Sequence, residues 1–418
     1  MKRNLLVLIL LIFSLSLNAQ FLCDPNDTRL VLTGVLKWQD PNVPSFSNEN
    51  RKDQELFDLF ASTGIPDSAR TILLDGQGTL DKMTNQIRRQ MKACTENSTF
   101  VFYYAGHGSK VGNDYYFCNY DMGNAVTTMF NVEILYDLAA KHFKGKRIIL
   151  LADCCYSGSL LAVGKKISDL GKEVIVLTSA TSSNISTGNW TFTQTLLDDL
   201  RGDVFADVDG NGFVSLSETA AEIKQAMKYR EYQLNGFASY GVEAEKFFIG
   251  KCTASAAKIP INDTGLNSSE YCYAYSGGKW RTARVMEVSS GMFTCQFYNY
   301  SVKEDVELPA GKVREVYFPV YKIDQKVDVM WEGKYYPSTI TAINDAFMYI
   351  HYDGYDKSYD EWVMYDRIWT GKEIEKSIEW QGAWYAGYVL QKTDSTCFVT
   401  YKDDAHTWDE WVPNSRVK

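Results

Sequence analysis

The feature that most constrains the fold is a series of short apolar runs without alternation of polar and apolar residues. Five such runs occur in the first part of the chain: Leu30–Val35, Thr71–Leu74, Phe100–Tyr104, Ile148–Ala152 and Val174–Thr178. Runs of this kind are typical of strands buried on both faces of a sheet. Amphipathic stretches that predict helices lie between them: Asp53–Ala61, Leu80–Met91 and Val132–His142. The alternation predicts an α/β domain with a mostly parallel sheet flanked by helices.

The composition is that of a folded protein and argues against phosphate binding over a broad surface. The 418 residues are 45 % hydrophobic and 23 % charged, which excludes a disordered chain. The 43 Lys and Arg residues stand against 52 Asp and Glu residues, a net charge of −9. Because nucleic acids are bound by clustered positive charge, we expect no nucleic-acid partner.

The amino terminus predicts a secretory signal peptide over residues 1–19. A basic start precedes the apolar run Leu5–Leu15, and small residues end the segment at Ala19, the usual order of such a peptide. The run is short for a bilayer span, and an uncleaved anchor is the alternative. Cleavage after Ala19 would leave Gln20 first. No later run is apolar enough to cross a membrane, so the sequence predicts a secreted or periplasmic protein with no membrane span in the mature chain.

The cysteine count is compatible with export but leaves one thiol over. Nine cysteines are an odd number, so at least one is unpaired or pairs between chains. The adjacent Cys154 and Cys155 are poorly placed to bridge each other. Cys252 and Cys272 flank a small, polar segment over residues 254–270, which predicts a linker. A disulfide across this linker is one candidate pairing.

The carboxyl-terminal region repeats itself at an offset of 49 residues. The matching positions are Trp331/Trp380, Gly333/Gly382, Tyr336/Tyr385, Tyr352/Tyr401, Asp360–Val363/Asp409–Val412 and Arg367/Arg416. A third, degenerate copy begins near Tyr273 and contains Gly278 and Trp280. Short alternating strands in units of about fifty residues predict small all-β barrels. We expect them at residues 271–318 (degenerate), 322–369 and 373–418.

These repeats resemble Tudor-like or Agenet-like SH3-type barrels, which have a similar signature from W-x-G to D-E-W-V. Such barrels can hold methylated Lys or Arg in aromatic cages by cation–π attraction. Six aromatic residues are candidates for cages: Trp331, Tyr335, Tyr352, Trp380, Trp384 and Tyr401. Small barrels also need large side chains in their cores. We favour core packing for most of the six, with a peptide or surface ligand as the alternative.

Two strand ends carry the candidate chemistry. His107, between two glycines, follows the run Phe100–Tyr104, and Cys154 and Cys155 follow the run Ile148–Ala152. Functional groups of parallel sheets lie just past the carboxyl ends of strands. A thiol and an imidazole there meet the condition for a nucleophile and its acid/base. A buried free cysteine and a hydrogen-bonded loop histidine are the alternative, which the joint occurrence disfavours.

The blocks Y-Y-A-G-H-G-S and D-C-C-Y-S-G closely resemble those of caspase-like cysteine peptidases, in particular the bacterial metacaspase-like branch. The resemblance covers about Leu30 to Ile249. It implies that Cys155 is the nucleophile and His107 the general acid/base. It also implies an oxyanion hole formed by the backbone N–H groups of Gly108 and Cys155. Cys154 occupies a variable position and is expected to serve packing.

The resemblance further implies a substrate pocket for a basic side chain. Asp153 matches an acid that lines the pocket for the residue before the cut, and Asp53 matches a second by a looser alignment. Two carboxylates favour a guanidinium or ammonium group, so we expect cleavage after Arg or Lys. The alternative for Asp53 is an acid stabilised at a helix amino terminus. Lys165 and Lys166 follow the nucleophile strand as candidates for self-cleavage, although a solvated turn is the favoured interpretation.

A twelve-residue segment from Asp207 to Glu218 fits an EF-hand calcium loop at every ligand position. The candidate ligands are Asp207, Asp209, Asn211, Phe213 through its carbonyl, Ser215 and Glu218. A polar turn without metal is the alternative. Metacaspases bind calcium through other acids, which are replaced here by Asn131, Val132 and Ala162. The loop is therefore the better calcium candidate.

Together these features predict an exported cysteine endopeptidase. An α/β caspase-like domain over residues 20–253 is followed by two clear SH3/Tudor-like barrels and one degenerate barrel. The expected partner is a protein or peptide substrate, and the expected cofactor is Ca²⁺ with no organic group. The alternative is a catalytically silent scaffold whose barrels bind a peptide or surface partner. It is disfavoured because both catalytic positions carry the working residue.

Overall fold

The structure is a computed structural model of the chain. It describes the following residues: 20–21, 24–203, 205–252, 266, 270–299, 302–316, 318–370, 375–392, 394–402, 406 and 408–418. The predicted signal peptide, residues 1–19, and most of the predicted linker lie outside the described residues. None of the helices in the described part is long and apolar enough to span a membrane.

Helices and strands alternate in the amino-terminal half. The helices described there are α1 (Lys52–Ser62), α2 (Leu80–Lys92), α3 (Ile134–His142), α4 (Leu160–Ser168), α5 (Thr191–Leu200) and α6 (Leu216–Glu231). The strands are β1 (Gln20–Phe21), β2 (Thr28–Gly34), β3 (Arg70–Leu74), β4 (Thr99–Ala105), β5 (Gly108–Val111), β6 (Asp114–Phe117), β7 (Phe130–Asn131), β8 (Arg147–Asp153), β9 (Glu173–Thr178), β10 (Phe213–Ser215), β11 (Gly236–Tyr240) and β12 (Phe247–Lys251).

Six of these strands form the central sheet, in the order β11-β9-β8-β4-β2-β3. All neighbouring pairs are parallel except β11 with β9. The mostly parallel sheet that the sequence predicts is therefore confirmed. Ala105 of β4 is the register partner of Asp153 of β8, so the carboxyl ends of these two strands lie side by side. This pairing places the two candidate catalytic blocks at one edge of the sheet.

Helices cover both faces of the sheet and bury its side chains in two cores. One core contains Val31, Phe102 and Leu150, and the opposite core contains Leu32 and Val101. All five of these side chains are inaccessible to solvent or nearly so. Burial of each stabilises the fold by about 1.5–3 kcal/mol. The two-sided burial explains why the strands appear in the sequence as continuous apolar runs.

Three small antiparallel sheets follow in the carboxyl-terminal half. Their strands are β13 (Tyr271–Ser276), β14 (Lys279–Ser289), β15 (Met292–Asn299), β16 (Val302–Pro309), β17 (Val313–Glu315), β18 (Lys326–Trp331), β19 (Lys334–Asn344), β20 (Phe347–Tyr352), β21 (Glu361–Val363), β22 (Ile368–Trp369), β23 (Glu375–Trp380), β24 (Ala383–Lys392), β25 (Thr396–Tyr401) and β26 (Glu410–Pro413). We call these the first barrel (β13–β17), the second barrel (β18–β22) and the third barrel (β23–β26). The predicted all-β units are confirmed.

The internal repeat is a repeat of hairpin geometry. The first hairpin of each barrel turns through two residues with positive φ, at Gly277–Gly278, Glu332–Gly333 and Gln381–Gly382. Two positive φ angles define a type I′ turn, which suits the twist of the flanking strands and favours Gly. The second strand of every barrel also contains a bulge where it pairs with the third. The degenerate first unit therefore shares the backbone plan of the other two.

A buried hydrogen-bond network explains several of the repeated polar residues. In the second barrel, the Tyr352 hydroxyl donates to Glu361 Oε1 at 2.7 Å, and Arg367 Nη2 donates to the same oxygen at 2.7 Å. The third barrel reproduces the network with its repeat equivalents, Tyr401, Glu410 and Arg416. A buried carboxylate needs such partners, so these positions repeat because they act together.

The expectation that most of the six aromatic residues fill the barrel cores is wrong. Tyr335 and Trp384 are 53 % and 42 % exposed, and of the six only Tyr352 is buried. The cores consist chiefly of aliphatic side chains, for example Ile340 and Ile350 in the second barrel. Side chains on a strongly bent sheet alternate between its inside and its outside, and these aromatic residues largely take the outer or rim positions.

The candidate disulfide between Cys252 and Cys272 is also wrong. Both residues are free thiols in the structure. Cys272 lies in the core of the first barrel beside Cys295, and a hydrogen bond between the two thiols lowers the pKa of Cys295. Cys252 instead directs its thiol towards the carbonyl of Asp203 at 3.8 Å. The positions of Cys252 and Cys272 on either side of the linker did not reveal that Cys272 packs against Cys295.

Candidate active site

The geometry of the sheet places His107 and Cys155 two residues beyond neighbouring strand ends. β4 ends at Ala105 and β8 ends at Asp153. Gly106 intervenes with a φ of +147°, and a Cβ atom there would lie 2.6 Å from the carbonyl oxygen of Val35. Only glycine tolerates that conformation and that approach. The chain therefore turns sharply at Gly106 and presents His107 at the edge of the sheet.

Backbone N–H groups surround the Cys155 sulfur. Ser186 N donates to Cys155 Sγ at 3.2 Å. Burial raises the pKa of the Cys155 thiol, while hydrogen bonds from the backbone of Ser186, Cys155 and Gly108 act in the opposite direction. The net effect is a raised pKa, so the resting thiol is protonated at neutral pH. A nucleophile of this kind needs a base to remove its proton.

Gly108 allows the two catalytic segments to touch. It is the first residue of β5, and a Cβ atom there would lie 2.0 Å from the carbonyl oxygen of Cys155. The close approach brings the Gly108 and Cys155 N–H groups to the same sulfur. Two converging N–H groups are suited to hold an oxyanion. The arrangement is compatible with the predicted oxyanion hole, which remains a prediction.

The His107 imidazole is oriented by a carbonyl and two aromatic rings. Its Nε2 lies 2.8 Å from the carbonyl oxygen of Pro44, and the rings of Trp38 and Phe46 lie on it with centroids 4.5 Å away. A carbonyl oxygen only accepts hydrogen bonds, so Nε2 carries the proton in neutral imidazole. Nδ1 is then the basic nitrogen. Sequence reasoning missed Pro44, since a backbone carbonyl in a loop has no residue signature.

A cavity of about 700 Å³, which we call the catalytic cavity, contains the sulfur of Cys155. Asp153, Phe46 and Trp190 also line it, and Glu49 lies at its wall. Phe46 connects the cavity with His107 through the ring contact described above. The structure therefore brings Cys155 and Asp153 into one cleft, and a residue that lines this cleft, Phe46, contacts the His107 ring. Glu49 was missed because it lies in a loop without a recognisable pattern.

Asp153 has an unusual carboxyl group. Burial raises its pKa to about 6, although hydrogen bonds from Thr193 and Ser179 oppose this effect. Thr193 Oγ1 donates to Asp153 Oδ2 at 2.6 Å. The carboxyl is therefore ionised at neutral pH and becomes neutral in mild acid. An ionised acid at the base of a cleft is a suitable partner for a cationic side chain.

Asp53 does not line the catalytic cavity, contrary to its predicted role. Its side chain is inaccessible to solvent and paired with Arg51, with Nη2 and Oδ2 2.7 Å apart. Arg51 also contacts Asp75 at 2.6 Å. Since the guanidinium of the chain itself occupies this carboxylate, no substrate cation can reach it. Asp53 lies in the first turn of α1, as expected from the alternative interpretation of an acid at a helix amino terminus.

A comparison with protein families covers the segment that carries these residues. Residues 50–255 match the family described as caspase domain. We call this segment the caspase domain, after the family that it matches. A search of the curated proteins found no match.

Solved structures also resemble this half of the chain. A Geobacter sulfurreducens protein is 16 % identical, with a TM-score of 0.40, over 55 % of this chain and 98 % of its own. The pro-form of sf-caspase-1 is 10 % identical, with a TM-score of 0.33, over 53 % and 93 %. The Drosophila initiator caspase Dronc is 12 % identical, with a TM-score of 0.32, over 53 % and 83 %.

A loop after β9 contacts Cys155, the candidate nucleophile. Gln233, just beyond α6, donates to the carbonyl of Ser179 at 2.6 Å and accepts from Thr187 N at 3.1 Å. The same amide donates to the hydroxyl of Ser186, whose N–H contacts Cys155. Gln233 is therefore a positioning residue that sequence reasoning missed, because it lies far from both motifs along the chain.

The second barrel holds the same loop from the other side. Asn184 Nδ2 donates to the carbonyl of Trp362 at 2.6 Å, and Trp362 N donates back to Asn184 Oδ1 at 3.3 Å. The Asn184 carbonyl accepts from Tyr156 N at 2.8 Å. One asparagine thus joins a barrel strand to the residue that follows the nucleophile.

Three acidic side chains converge in the predicted calcium loop. Carboxylate oxygens of Asp207, Asp209 and Glu218 lie within 4.8 Å of one another. Asn211 Oδ1 and Ser215 Oγ belong to the same loop, which turns at Gly212 with a φ of +87°. Hard oxygen donors at this spacing suit Ca²⁺. Phe213 and its neighbours form β10, which pairs with β12, and the residues present fit the ion.

The Lys165–Lys166 segment is not the solvated turn that the sequence favours. Both residues lie within α4. Lys166 pairs with Glu133 at 2.7 Å, and Lys165 pairs with Asp169. The preceding Gly164 packs against the sheet, where a Cβ atom would lie 2.5 Å from Val176. A peptidase requires extended backbone, so cleavage here would first require unfolding of the helix.

Proposed function

We propose that the protein is an exported cysteine endopeptidase whose caspase domain cleaves peptide bonds after Arg or Lys. The observation that carries the proposal is that Cys155 and an ionisable, half-buried Asp153 open into one cavity. His107 follows the neighbouring strand end with its Nε2 proton fixed by Pro44. The match of residues 50–255 to the caspase domain supports the same chemistry.

The proposed reaction proceeds through a thioester. His107 Nδ1 accepts the proton of Cys155 Sγ, and the sulfur attacks the scissile carbonyl carbon. The N–H groups of Gly108 and Cys155 stabilise the resulting oxyanion. The C–N bond breaks as His107 returns the proton to the leaving amine. Water then attacks the thioester with the same imidazole as base, which releases the new carboxylate and restores the thiol.

The acids of the catalytic cavity support a basic residue before the cleaved bond. Asp153 is ionised at neutral pH, and Glu49 adds a second carboxylate at the wall. Arg is favoured over Lys because its planar guanidinium pairs with a carboxylate through two hydrogen bonds. Glu49 is thus proposed as the second acid of the substrate pocket, the role that the sequence predicted for Asp53.

A peptide assay tests the proposal. Fluorogenic peptides that end in Arg, Lys or Asp before the coumarin are incubated with the wild-type protein and with Cys155→Ala. We expect hydrolysis of the Arg and Lys peptides by the wild type and none by the variant. Equal signals from both proteins would refute the proposed peptidase activity and would favour the alternative of a catalytically silent scaffold. Hydrolysis of the Asp peptide alone would refute the role of Asp153.

We also propose that export removes residues 1–19. The support is the basic, apolar and small-residue order of that segment. Amino-terminal sequencing of protein recovered from outside the cytoplasm should begin at Gln20. A sequence that begins at Met1 in the recovered protein would favour the uncleaved anchor.

We propose Ca²⁺ as a structural ion of the loop between Asp207 and Glu218. The oxygen donors described above support it. Titration calorimetry with CaCl₂ should show one site in the wild type and a loss of binding in Glu218→Gln. Glu243→Gln, a surface acid of the same domain that pairs with Lys246, is the matched control and should keep the site. Unchanged binding by Glu218→Gln would refute the proposal.

A further inference from the structure

A second cavity, which we call the aromatic cavity, lies between the caspase domain and the second barrel and has a volume of about 340 Å³. The barrel supplies its aromatic wall: Trp331, Tyr336, Tyr352, Tyr355 and Tyr359. The caspase domain supplies Tyr156 and Ile185 on the opposite side. A cavity lined mainly by aromatic rings with a few polar groups is the usual form of a ligand site.

Two rings of this wall lie outside the barrel core, whereas Tyr352 belongs to that core and Tyr336 packs against it. Tyr355 and Tyr359 are 49 % and 63 % exposed. They contact each other edge to face at 6.1 Å, and Tyr355 contacts Tyr336 in the same manner at 5.8 Å. Exposed aromatic surface that is gathered in one place gains free energy when a ligand covers it. The arrangement therefore favours binding of an apolar group.

The charges around the aromatic cavity argue against a cationic occupant. Glu361 is the one acid among the described residues that line it, and Arg367 neutralises that acid through both of its terminal nitrogens. Lys110 lines the cavity as well, with its ammonium 2.7 Å from the carbonyl of Ser358. A second cation would meet this ammonium without a free carboxylate to offset it. A neutral aromatic or aliphatic side chain is the better fit.

Neighbouring residues of the same chain segments line the two cavities. Tyr156 follows Cys155 directly, and Ile185 precedes Ser186, which contacts the sulfur. Residues before the oxyanion donors, such as Gly106, line the catalytic cavity, whereas Lys110, beyond Gly108, lines the aromatic cavity. The proposed oxyanion donors therefore lie between the catalytic cavity and the aromatic cavity along the chain. A peptide that directs its basic side chain towards Asp153 would continue beyond the cut towards the aromatic cavity.

We infer that the aromatic cavity binds a neutral aromatic or aliphatic side chain of the protein substrate on the carboxyl-terminal side of the cleaved bond. The inference rests on the proposed peptidase function and adds a second specificity site, half of which belongs to the barrel. It defines the substrate class as sequences with a basic residue before the cut and an apolar residue a few positions after it.

Internally quenched peptides test this inference. All carry the basic residue that the coumarin assay favours, followed by four Ala residues, and Phe replaces each Ala in turn. We expect one Phe position to raise kcat/KM about tenfold, the value for burial of one aromatic side chain. In Tyr359→Ala and in Tyr355→Ala the ratio of Phe to Ala peptides should fall towards one. Tyr385→Ala, at the repeat position equivalent to Tyr336 but in the third barrel, should keep the ratio.

The outcomes separate this inference from the proposed function. Equal cleavage of the Phe and Ala peptides, with the coumarin peptide hydrolysed, would overturn the aromatic cavity alone. A gain from trimethyl-lysine instead of Phe would overturn the assignment of a neutral ligand. Loss of the ratio in Tyr385→Ala as well would show that the effect is not local to the cavity. Failure to hydrolyse the coumarin peptides would overturn the proposed function, and this inference with it.

Discussion

At the scale of single residues, the proposed role of Asp153 predicts how specificity depends on pH. Burial raises its pKa to about 6, so the carboxyl loses its charge as the pH falls through that value. We expect the ratio of kcat/KM for an Arg peptide to that for its neutral citrulline isostere to decrease from pH 7.5 to pH 5. The ratio cancels any effect of pH on the groups that act on both peptides alike. In Asp153→Asn it should be low at every pH, and a wild-type ratio that does not change with pH would contradict the role.

The same raised pKa predicts a change in stability. The folded state binds the Asp153 proton more tightly than the unfolded chain, so this group lowers the free energy of unfolding as the pH rises from about 4 to about 6. Asp153→Asn removes the buried charge. We expect it to stabilise the protein by roughly 2–3 kcal/mol at pH 8 and by little at pH 4. Urea unfolding at the two pH values measures the difference, and destabilisation at pH 8 would contradict it.

Arg51 is predicted to serve stability and not substrate binding. Arg51→Met would leave the Asp53 carboxylate buried without its partner, at a cost of about 3–5 kcal/mol. Lys52→Met is the matched control, since it breaks the neighbouring ion pair with the partly exposed Glu55 and should cost less than about 1 kcal/mol. Thermal unfolding compares the two variants. Equal losses would show that the Arg51–Asp53 pair contributes no more than a surface pair.

At the scale of elements, the contact between β5 and the nucleophile turn predicts the effect of one methyl group. In Gly108→Ala the Cβ atom would collide with the Cys155 carbonyl, which is 2.0 Å away. Backbone must move, so the converging N–H groups separate, and we expect kcat to fall by at least about 10². In Gly123→Ala the nearest atom lies 3.5 Å away, and activity should persist. Wild-type activity in Gly108→Ala would refute the contact.

The elements that the sequence predicted best are those in which burial alone determines the pattern. The five runs predicted as strands match β2, β3, β4, β8 and β9 to within two residues at each end. β11 was missed because it is an edge strand with partly exposed residues and no continuous apolar run. The barrels were predicted from their repeat, because each hairpin turn requires Gly and each buried hydrogen-bond network requires the same Tyr, Glu and Arg residues.

The candidate site was predicted only where its residues belong to a strand end. His107 follows β4, Asp153 ends β8 and Cys155 follows it. Because β4 and β8 are neighbouring parallel strands, the topology of the sheet places these residues close together. Loop residues such as Pro44 and Glu49 contribute through position in space, which no local pattern encodes. Asp53 was misplaced because the sequence does not reveal that Arg51 folds back on it.

At the scale of the whole molecule, Asn184 connects the second barrel to the segment beside Cys155. Asn184 bonds to the backbone of Trp362 in the barrel and to Tyr156 N beside the nucleophile. The barrel therefore restrains the loop whose Ser186 N–H contacts Cys155 Sγ. If this restraint positions the thiol, its loss should lower catalysis without loss of the fold.

Asn184→Ala tests this coupling. It removes both hydrogen bonds to Trp362 and leaves the backbone carbonyl that accepts from Tyr156. We expect kcat on the coumarin peptide to fall by about tenfold or more, because small displacements of a nucleophile reduce the rate steeply. The melting temperature should change by only a few degrees.

A second contact between the same two domains provides the control for that variant. Asp345→Asn removes the charge that pairs with Lys228 at 2.7 Å and does not touch the loop. We expect it to alter stability without altering kcat. If both variants lower kcat equally, the barrel acts through general docking. If neither does, the loop is positioned by Gln233 and the caspase domain alone, and the barrel contributes only the wall of the aromatic cavity.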